Sequence, residues 1–318
     1  MKKVAFVIGR FQGLHSGHCH LLCKAEEIAD DVVVLLGSAN RPPSIKNPFT
    51  AEQRANAIAE ELPELVGEFV FLDDYKYNDA RWIEQVQKHI ARYHRMGYNV
   101  VLVGHWKDGN DYLKWFPGIE YHEVEMHGNL AGLDATSIRE AMFTCRQEAV
   151  AHVQADWDYF QREKETFASY PYKETLNFAC GDAVLECAGH VLLIQRKNAP
   201  GKGLWALPGG FKNNNETHFD CAIRELKEET NVRVSEKVLR GSVVQQQLFD
   251  SPTRGCGIPR HTLAVHMRIA TDCVTDALPR ANGADDAADV RWVPFNQIGK
   301  EYKLFDDHQD IIQVMCGI

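Results

Sequence analysis

The chain has 318 residues, of which 45% are hydrophobic and 25% charged, with a formal net charge of -9. This length exceeds what one hydrophobic core usually organises and therefore predicts two domains. The acidic balance without a Lys/Arg block excludes a general nucleic-acid binder, and the lack of an apolar run near ~20 residues excludes a membrane helix, which makes the cytoplasm the expected location.

Short β-branched runs alternate with helical patterns in the first half, which predicts a Rossmann-like α/β domain with a parallel sheet over residues 1–150. The predicted strands are Val4–Ile8, Val32–Leu36, Glu68–Leu72 and Val100–Val103. The predicted helices are His18–Ala29, Thr50–Leu62, Ala80–Met96 and Thr136–Glu148. Thr50 with Gln53 three residues on has capping-box spacing, which marks the start of the second helix.

A loop rich in glycine and histidine follows the first strand and leads into the first helix. It reads Gly9-Arg10-Phe11-Gln12-Gly13-Leu14-His15-Ser16-Gly17-His18. Glycines and a helix N-terminus at the carboxyl end of a strand form an anion site. The last four residues resemble the HxGH signature of nucleotidyltransferases of the α/β-phosphodiesterase type. That resemblance implies that His15 and His18 contact the phosphates of ATP.

Later segments extend the resemblance. Thr136-Ser137-Ile138-Arg139 is similar to the C-terminal phosphate motif of these transferases. Three further segments resemble archaeal-like nicotinamide mononucleotide (NMN) adenylyltransferases: Asn47–Arg54, Tyr77–Asp79 with Trp82, and Gly104–Asp108 with Tyr112. The implied ATP and NMN contacts are Gly9, Arg10, Phe11, Gly17, Arg54, Asn78, Trp82, Gly104, Lys107, Thr136 and Ser137. Trp82 would stack on the nicotinamide ring and Asn78 would bind its amide, with a core role for Trp82 as the alternative.

The reaction implied is direct transfer: the 5′-phosphate of NMN attacks the α-phosphorus of ATP, giving NAD and pyrophosphate. His15, His18, Arg139 and Mg²⁺ would neutralise the charge that develops. Two departures from the family pattern are present. Gly13 replaces the usual Pro, which should loosen the loop, and Asp134-Ala135 replaces Ser-Gly, which places a carboxylate near the expected phosphates. Nicotinate mononucleotide and phosphopantetheine remain alternative acceptors.

Residues 151–175 are polar and aromatic, and predict a helical connector. Strands then dominate, which predicts an α+β domain over residues 176–318. The predicted strands are Phe178–Cys187, His190–Arg196, Val243–Phe249, Thr262–Ile269 and Val290–Val293. One strongly charged helix, Asp220–Thr230, interrupts them.

That helix places Glu225 three and four positions before Glu228 and Glu229, so the three carboxylates share one face. Clustered oxygen ligands suit Mg²⁺ or Mn²⁺, and a solvated acidic face is the alternative. The spacing from Gly210 through Glu216, Arg224 and the three glutamates resembles the Nudix box Gly-x5-Glu-x7-Arg-Glu-apolar-x-Glu-Glu-x-Gly-apolar. Asn231 stands where the family has Gly, and Asn best tolerates a left-handed helix C-cap among the other residues.

The Nudix resemblance implies that Glu225, Glu228 and Glu229 hold the metal, with Glu216 in support and Arg224 orienting a carboxylate. A metal-activated water would attack a pyrophosphate phosphorus. The general base stays open, with Asp285-Asp286 as a second source. Gln247–Gly255 with Arg260 is similar to a segment of ADP-ribose hydrolases, which implies conversion of ADP-ribose to AMP and ribose 5-phosphate. The implied ADP-ribose contacts are Arg196, Gly209, Gly210, Phe249, Pro252 and Arg254.

The order of the two domains resembles a bifunctional bacterial family that joins NMN adenylyltransferase to ADP-ribose pyrophosphatase. The expected partners are therefore small nucleotides, namely ATP, NMN, NAD and ADP-ribose, with homo-oligomer formation left open. Two alternatives for the second domain remain: hydrolysis of another nucleoside diphosphate derivative, and sensing of ADP-ribose without cleavage.

Overall fold

The computed structural model describes residues 2–65, 67–105, 115–130, 132–271, 277–283 and 287–318. The chain divides into two units, Met1–Ala151 and His152–Ile318. Among the described residues, no helix combines the length and the apolar character needed to cross a membrane.

The first unit contains a five-stranded parallel sheet in the order β3-β2-β1-β4-β5. Its strands are β1 (Lys3–Gly9), β2 (Asp31–Leu36), β3 (Gly67–Phe71), β4 (Asn99–Gly104) and β5 (Glu120–Glu123). Its helices are α1 (Ser16–Ile28), α2 (Ala51–Glu61), α3 (Asp79–Arg95) and α4 (Ala135–Thr144). The four predicted strands and four predicted helices are confirmed, although α4 ends four residues early. β5 was not predicted, because its sequence Glu-Tyr-His-Glu has no apolar run.

Strand β1 is buried on both faces, as expected for the centre of a parallel sheet. Ala5 and Val7 pack in one apolar cluster with residues of α1 and α2, whereas Val4 and Phe6 pack in a second cluster with residues of α3. The strand order reverses between β1 and β4, and ligands of open α/β sheets bind in the crevice outside such a reversal. The loop that follows β1 therefore lies where a ligand is expected.

The second unit contains a seven-stranded mixed sheet with the path β10-β11-β6-β7-β12. Its strands are β6 (Phe178–Cys187), β7 (His190–Arg196), β8 (Trp205–Ala206), β9 (Gly209–Phe211), β10 (Val243–Phe249), β11 (Arg260–Ile269) and β12 (Ala287–Pro294). Its helices are α5 (Gln154–Thr166), α6 (His218–Thr230), α7 (Glu236–Gly241) and α8 (His308–Cys316). β11 pairs parallel with β6, and the other pairs are antiparallel. The predicted elements are confirmed, and the short β8, β9, α7 and α8 are additional.

Helix α5 is the helix predicted for residues 151–175, and it is tied firmly to the second unit. The Asp156 carboxylate accepts the Gly201 amide at 2.9 Å. Glu163 accepts the Ile258 amide at 2.8 Å and forms an ion pair with Arg260. These bonds make α5 a wall of the second unit, which is a stronger attachment than a connector requires.

Candidate active sites

The loop after β1 has an unusual backbone. Phe11 and Gly13 have φ angles of +52° and +75°. The Gly37 amide donates to the Gly9 carbonyl at 3.0 Å and holds the start of the loop against the end of β2. Pro is fixed near φ of about −65°, so the usual family residue cannot adopt the conformation of Gly13. The glycine therefore belongs to the path that this loop takes.

The two histidines of the loop stand side by side at the N-terminus of α1. Their ring centroids are 3.7 Å apart with an interplanar angle of 24°, and the Phe11 ring lies 4.9 Å from His18. A Cβ on Gly17 would lie 3.1 Å from the His15 ring, so only glycine leaves that ring its full space. Imidazoles beside a helix N-terminus provide donors and positive potential for an anion.

Arg139 brings the C-terminal motif of the first unit to this loop. Its Nη1 donates to the Gln12 carbonyl at 3.3 Å, and its Nη2 donates to Thr136 Oγ1 at 3.1 Å. Burial lowers the pKa of Arg139, and the nearby charge of Arg10 lowers it further. Two cations so close together favour an anionic ligand between them. The structure thus places both predicted phosphate motifs together.

Asp134 caps helix α4, a role that its position in the phosphate motif did not indicate. It is the N-cap of α4, and its carboxylate accepts the Ser137 amide at 2.9 Å and the Ser137 hydroxyl at 3.0 Å. The carboxylate expected near the phosphates is thus engaged in capping a helix. Ser137, expected to bind nucleotide, shares that capping interaction.

Arg54 lies beneath the loop rather than within it. It is 2% exposed and donates to the carbonyls of Thr50, Arg10 and Gly37 at 3.1, 2.5 and 2.8 Å. Burial lowers its pKa to about 10. In this structure Arg54 supports the loop backbone, and its expected contact with ATP or NMN stays a prediction.

Gln12 gives a second brace that the sequence did not reveal. Its side chain is 1% exposed and exchanges hydrogen bonds with the backbone of Phe49 at 2.9 and 3.0 Å. A glutamine inside a polar loop is not distinguishable from a solvated one by sequence alone. Its burial links the loop after β1 to the segment before α2.

The expected acceptor-binding residues lie on α3 and at the end of β4. Asn78 is the N-cap of α3, and its side-chain oxygen accepts the Arg81 amide at 3.2 Å. The half-buried Trp82 ring lies 5.9 Å from the Trp115 ring and 6.2 Å from the Phe116 ring, so it forms part of an aromatic group at the edge of the core. Gly104 ends β4. Lys107, with Trp106, Asp108 and Tyr112, lies outside the described residues.

Helix α6 carries the acidic site of the second unit. It begins with a capping box between Thr217 and Asp220 and ends at Asn231, which has φ of +43° and ψ of +32°. The prediction that Asn231 forms a left-handed C-cap is confirmed. A Cβ on Gly210 would lie 2.5 Å from the Glu225 carboxylate, so glycine at this position leaves room for that side chain. The Gly209 amide donates to Glu229 at 3.0 Å.

Arg224 is the centre of the carboxylate cluster. It donates to both oxygens of Glu216 at 2.7 and 3.0 Å, to Glu225 at 2.7 Å and to Glu228 at 2.9 Å. These hydrogen bonds lower the pKa of Glu216 to about 2. The sequence predicted one carboxylate for Arg224, and the structure shows that it joins three.

Glu229 differs from Glu216 because it is buried. Burial raises its pKa to about 8, although the Gly209 amide acts in the opposite direction, and burial also raises the pKa of Glu225. Carboxylates that are costly to ionise indicate a position where a cation would be stabilising. Glu225, Glu228 and Glu229 supply hard oxygen ligands on one helix face, and this donor set fits Mg²⁺ or Mn²⁺.

The expected ADP-ribose contacts separate into two groups. Gly209 and Gly210 lie against the carboxylates, and Arg196 lies on the Phe305 ring with its Nε donating to the Pro200 carbonyl at 2.7 Å. Pro252 is exposed. The other two expected contacts, Phe249 and Arg254, have buried side chains. Asp285 and Asp286 lie outside the described residues.

Phe249 is 1% exposed, so its ring is part of the core and cannot face a ligand in this conformation. Arg254 is 7% exposed; its Nε donates to both oxygens of Asp307 at 3.0 and 3.1 Å, and its Nη2 donates to Asp182 at 3.2 Å. Arg254 thus links Asp307 to Asp182 inside the second unit, and removal of one partner of such a buried ion pair would leave an uncompensated charge. Arg254 supports the site through Asp182, which pairs with Gly209 across β6 and β9.

Comparison with known proteins follows the division into two units. Residues 6–141 match the cytidylyltransferase-like family model, and residues 179–315 match the NUDIX domain model. The chain is similar to the nicotinamide/nicotinic acid mononucleotide adenylyltransferase of Acinetobacter baylyi, with 38% identity over 142 residues, 43% of this chain and 73% of that protein. It is also similar to the ADP-ribose pyrophosphatase of Methanocaldococcus jannaschii, with 35% identity over 133 residues, 42% of this chain and 69% of that protein.

Solved structures extend the likeness to the whole chain. A bifunctional NMN adenylyltransferase/ADP ribose pyrophosphatase from Francisella tularensis superposes with a TM-score of 0.89 at 28% identity, covering 100% of this chain and 99% of that one. A second structure of a bifunctional enzyme from Francisella tularensis, complexed with AMP and a Mn ion, superposes with a TM-score of 0.88 at 28% identity and the same coverage.

Proposed function

The chain belongs to the family of bifunctional NMN adenylyltransferase/ADP-ribose pyrophosphatases, and on that premise we propose that it catalyses both reactions. The first unit transfers the adenylyl group of ATP to NMN and releases pyrophosphate. The second unit hydrolyses ADP-ribose to AMP and ribose 5-phosphate. The observation that carries the proposal is that each unit gathers its own charged site: a cationic loop against α4 in the first, and a carboxylate cluster on α6 in the second.

In the first unit, the chain's own groups hold the triphosphate. His15 and His18 lie at the N-terminus of α1, and Arg139 is fixed to the same loop through the Gln12 carbonyl. As the 5′-phosphate of NMN attacks the α-phosphorus, the bond to the β-phosphate breaks and negative charge grows on the leaving pyrophosphate. Fixed donors stabilise that charge without reorganising. Arg54 and Gln12 keep the loop in place.

In the second unit, Glu225, Glu228 and Glu229 would hold Mg²⁺ or Mn²⁺, which supplies Lewis acidity at the pyrophosphate and lowers the pKa of a bound water. Arg224 keeps the Glu216, Glu225 and Glu228 carboxylates oriented. The Gly209 amide orients Glu229. Hydrolysis adds water across the pyrophosphate bond, so one phosphate remains on each product.

The test is incubation of the purified chain with Mg²⁺ and either ATP plus an acceptor or ADP-ribose, followed by chromatography of the nucleotides. We expect NAD and pyrophosphate from the first mixture, and AMP and ribose 5-phosphate from the second. The Acinetobacter relative is described for both nicotinamide and nicotinic acid mononucleotides, so nicotinate mononucleotide is the second acceptor to assay. Binding of ADP-ribose without release of AMP would favour the sensor alternative.

A further inference from the structure

Three side chains that can bind a metal ion meet in the second unit, and we call them the mixed-ligand cluster. They are Glu186 near the end of β6, His266 on β11 and Cys316 at the end of α8, and one ligand atom of each lies within 4.8 Å of the other two. His266 Nε2 is 2.7 Å from Glu186 Oε2 and 3.8 Å from Cys316 Sγ. Imidazole, carboxylate and thiolate are the side-chain groups that bind Zn²⁺ in proteins.

The mixed-ligand cluster is separate from the carboxylates of α6. Leu185 of β6 and Val265 of β11 pack in one apolar cluster with Leu226 of α6, so α6 covers their face of the sheet. Glu186 and His266 are the next residues along these two strands, and successive side chains of a strand point to opposite faces. The mixed-ligand cluster therefore lies on the face of the sheet that is turned away from the glutamates of α6.

The contacts within the cluster leave a ligand unsatisfied. His266 is 0% exposed and Glu186 is 8% exposed, and Glu186 Oε1 accepts Arg268 Nε at 3.0 Å. The other oxygen, Oε2, faces His266 Nε2, which Cys316 Sγ also approaches. Because Nε2 carries either one proton or one lone pair, it hydrogen-bonds one of these two neighbours and not the other. A cation bound to all three groups would satisfy them together.

The distances suit a small tetrahedral ion. With Zn²⁺ bonds of about 2.0–2.3 Å, neighbouring ligand atoms are about 3.3–3.6 Å apart, and both Nε2 distances come within roughly 0.6 Å of that range. Among the described residues, no group hydrogen-bonds to His266 Nδ1, so nothing there fixes the tautomer of the ring. The ring proton can therefore reside on Nδ1, which leaves the Nε2 lone pair for an ion.

We propose that Glu186, His266 and Cys316 form a second metal site, which binds Zn²⁺ and joins the C-terminal helix α8 to β6 and β11. Thiolate and imidazole ligands select Zn²⁺ over Mg²⁺ and Mn²⁺, which prefer oxygen ligands such as those on α6. Binding releases the thiol proton of Cys316 to solvent, and a water molecule would complete the four ligands. Cys316 is half-buried, so an ion has access beside the end of α8.

An ion at this position would strengthen the attachment of α8. The helix packs on β10 and β11 through the buried Ile312 and Met315, and the Met315 carbonyl accepts Gln245 Nε2 at 2.6 Å. The proposed site adds a bond from the last residue of α8 to two neighbouring strands. Since an ion that binds only the folded protein stabilises it, Zn²⁺ should raise the unfolding temperature of the second unit.

The test uses Co²⁺ as a spectroscopic substitute for Zn²⁺, added to the reduced, metal-free full chain. A thiolate ligand produces a sulfur-to-cobalt charge-transfer band in the near ultraviolet, which the glutamates of α6 cannot produce because they contain no sulfur. We expect this band in wild type and in Glu229→Gln, its loss in Cys316→Ser, and its disappearance when Zn²⁺ displaces Co²⁺. Cys256→Ser changes another half-buried cysteine of the same unit and is the matched control, which should keep the band.

Thermal unfolding in the Glu229→Gln background gives a second measurement. At a Zn²⁺ concentration ~100-fold above the dissociation constant, the unfolding temperature of the second unit should rise by about 5 °C, and addition of Cys316→Ser should remove that rise. Glu186→Gln, which keeps the thiol, should weaken Co²⁺ binding about tenfold or more. Absence of the charge-transfer band from reduced wild type would overturn the proposal, as would its persistence in Cys316→Ser.

Discussion

The two units handle phosphate groups with opposite charges. The first presents His15, His18 and Arg139 around a loop whose backbone is held by buried side chains. The second presents carboxylates, two of which are buried enough to have raised pKa values. The first site can therefore meet an anion directly, whereas the second needs a divalent cation between its carboxylates and the substrate. The second unit therefore binds its divalent cation through its own carboxylates, whereas the first unit adds fixed protein donors to the Mg²⁺ expected with ATP.

The largest expected effect comes from Glu229→Gln, which removes one carboxylate ligand from the buried metal-binding face while keeping its shape. We expect ADP-ribose hydrolysis to fall by about a thousandfold or more, since metal chemistry supplies several kcal/mol of transition-state stabilisation. NAD synthesis should stay within twofold. Both rates are measured on one preparation by nucleotide chromatography. Equal loss of both activities would show that the two sites are coupled and would contradict their independence.

His18→Ala tests the fixed donors of the first unit. Removal of one fixed donor from a site that stabilises developing charge typically reduces the rate about a hundredfold. We expect that loss in NAD synthesis, with ADP-ribose hydrolysis unchanged. His20→Ala, on the same helix, is the control. A His18→Ala enzyme that makes NAD at the wild-type rate would remove His18 from the proposed role.

Arg224→Lys tests whether the carboxylate cluster needs the hydrogen bonds of the guanidinium or only its positive charge. Lysine keeps the charge but cannot bond Glu216, Glu225 and Glu228 at once, as the planar guanidinium does. We expect about a tenfold lower rate of ADP-ribose hydrolysis and a higher Mg²⁺ requirement, measured by titrating Mg²⁺ at saturating substrate. Rates and Mg²⁺ dependence equal to wild type would show that charge alone is sufficient.

The smallest effect is expected at Asn231, where the Nudix pattern has glycine. Its φ of +43° is left-handed, so Asn231→Ala should destabilise the second unit by about 1 kcal/mol, whereas Asn231→Gly should be neutral or slightly stabilising. Thermal unfolding of both variants measures the difference. A more stable Asn231→Ala protein would show that this cap is not under conformational strain.

Sequence patterns predicted most helices and strands because these elements depend on residues that are close together in the sequence. The apolar runs of β1, β2 and β4, the Thr50 capping box and the spacing of the α6 glutamates all follow short-range rules. Strand β5 was missed because Glu-Tyr-His-Glu has no apolar run, and helix α8 was missed because it is only nine residues long. The strand order of the sheets could be read only from the three-dimensional structure, since each residue of β11 pairs with a residue of β6 that lies 82 positions earlier, as Arg260 does with Phe178.

Side-chain roles were harder to predict, because burial depends on distant partners. Arg54 and Arg254 stand in motifs that suggested ligand contact, yet one supports backbone carbonyls and the other joins Asp182 to Asp307. Phe249 was also expected to contact the ligand, because the sequence around it does not show that the end of β10 is buried. Arginine and aromatic residues near a site serve substrate or structure equally well by composition, and only packing separates these roles.

Binding of Mn²⁺ to the chain without nucleotide tests most directly whether the carboxylate cluster is a metal site. Titration is followed by the electron paramagnetic resonance signal of free Mn²⁺, with wild type, Glu229→Gln and His18→Ala measured in parallel. We expect wild type and His18→Ala to bind Mn²⁺ alike, and Glu229→Gln to bind it at least tenfold more weakly. Equal Mn²⁺ binding by Glu229→Gln and wild type would contradict the account of the second unit.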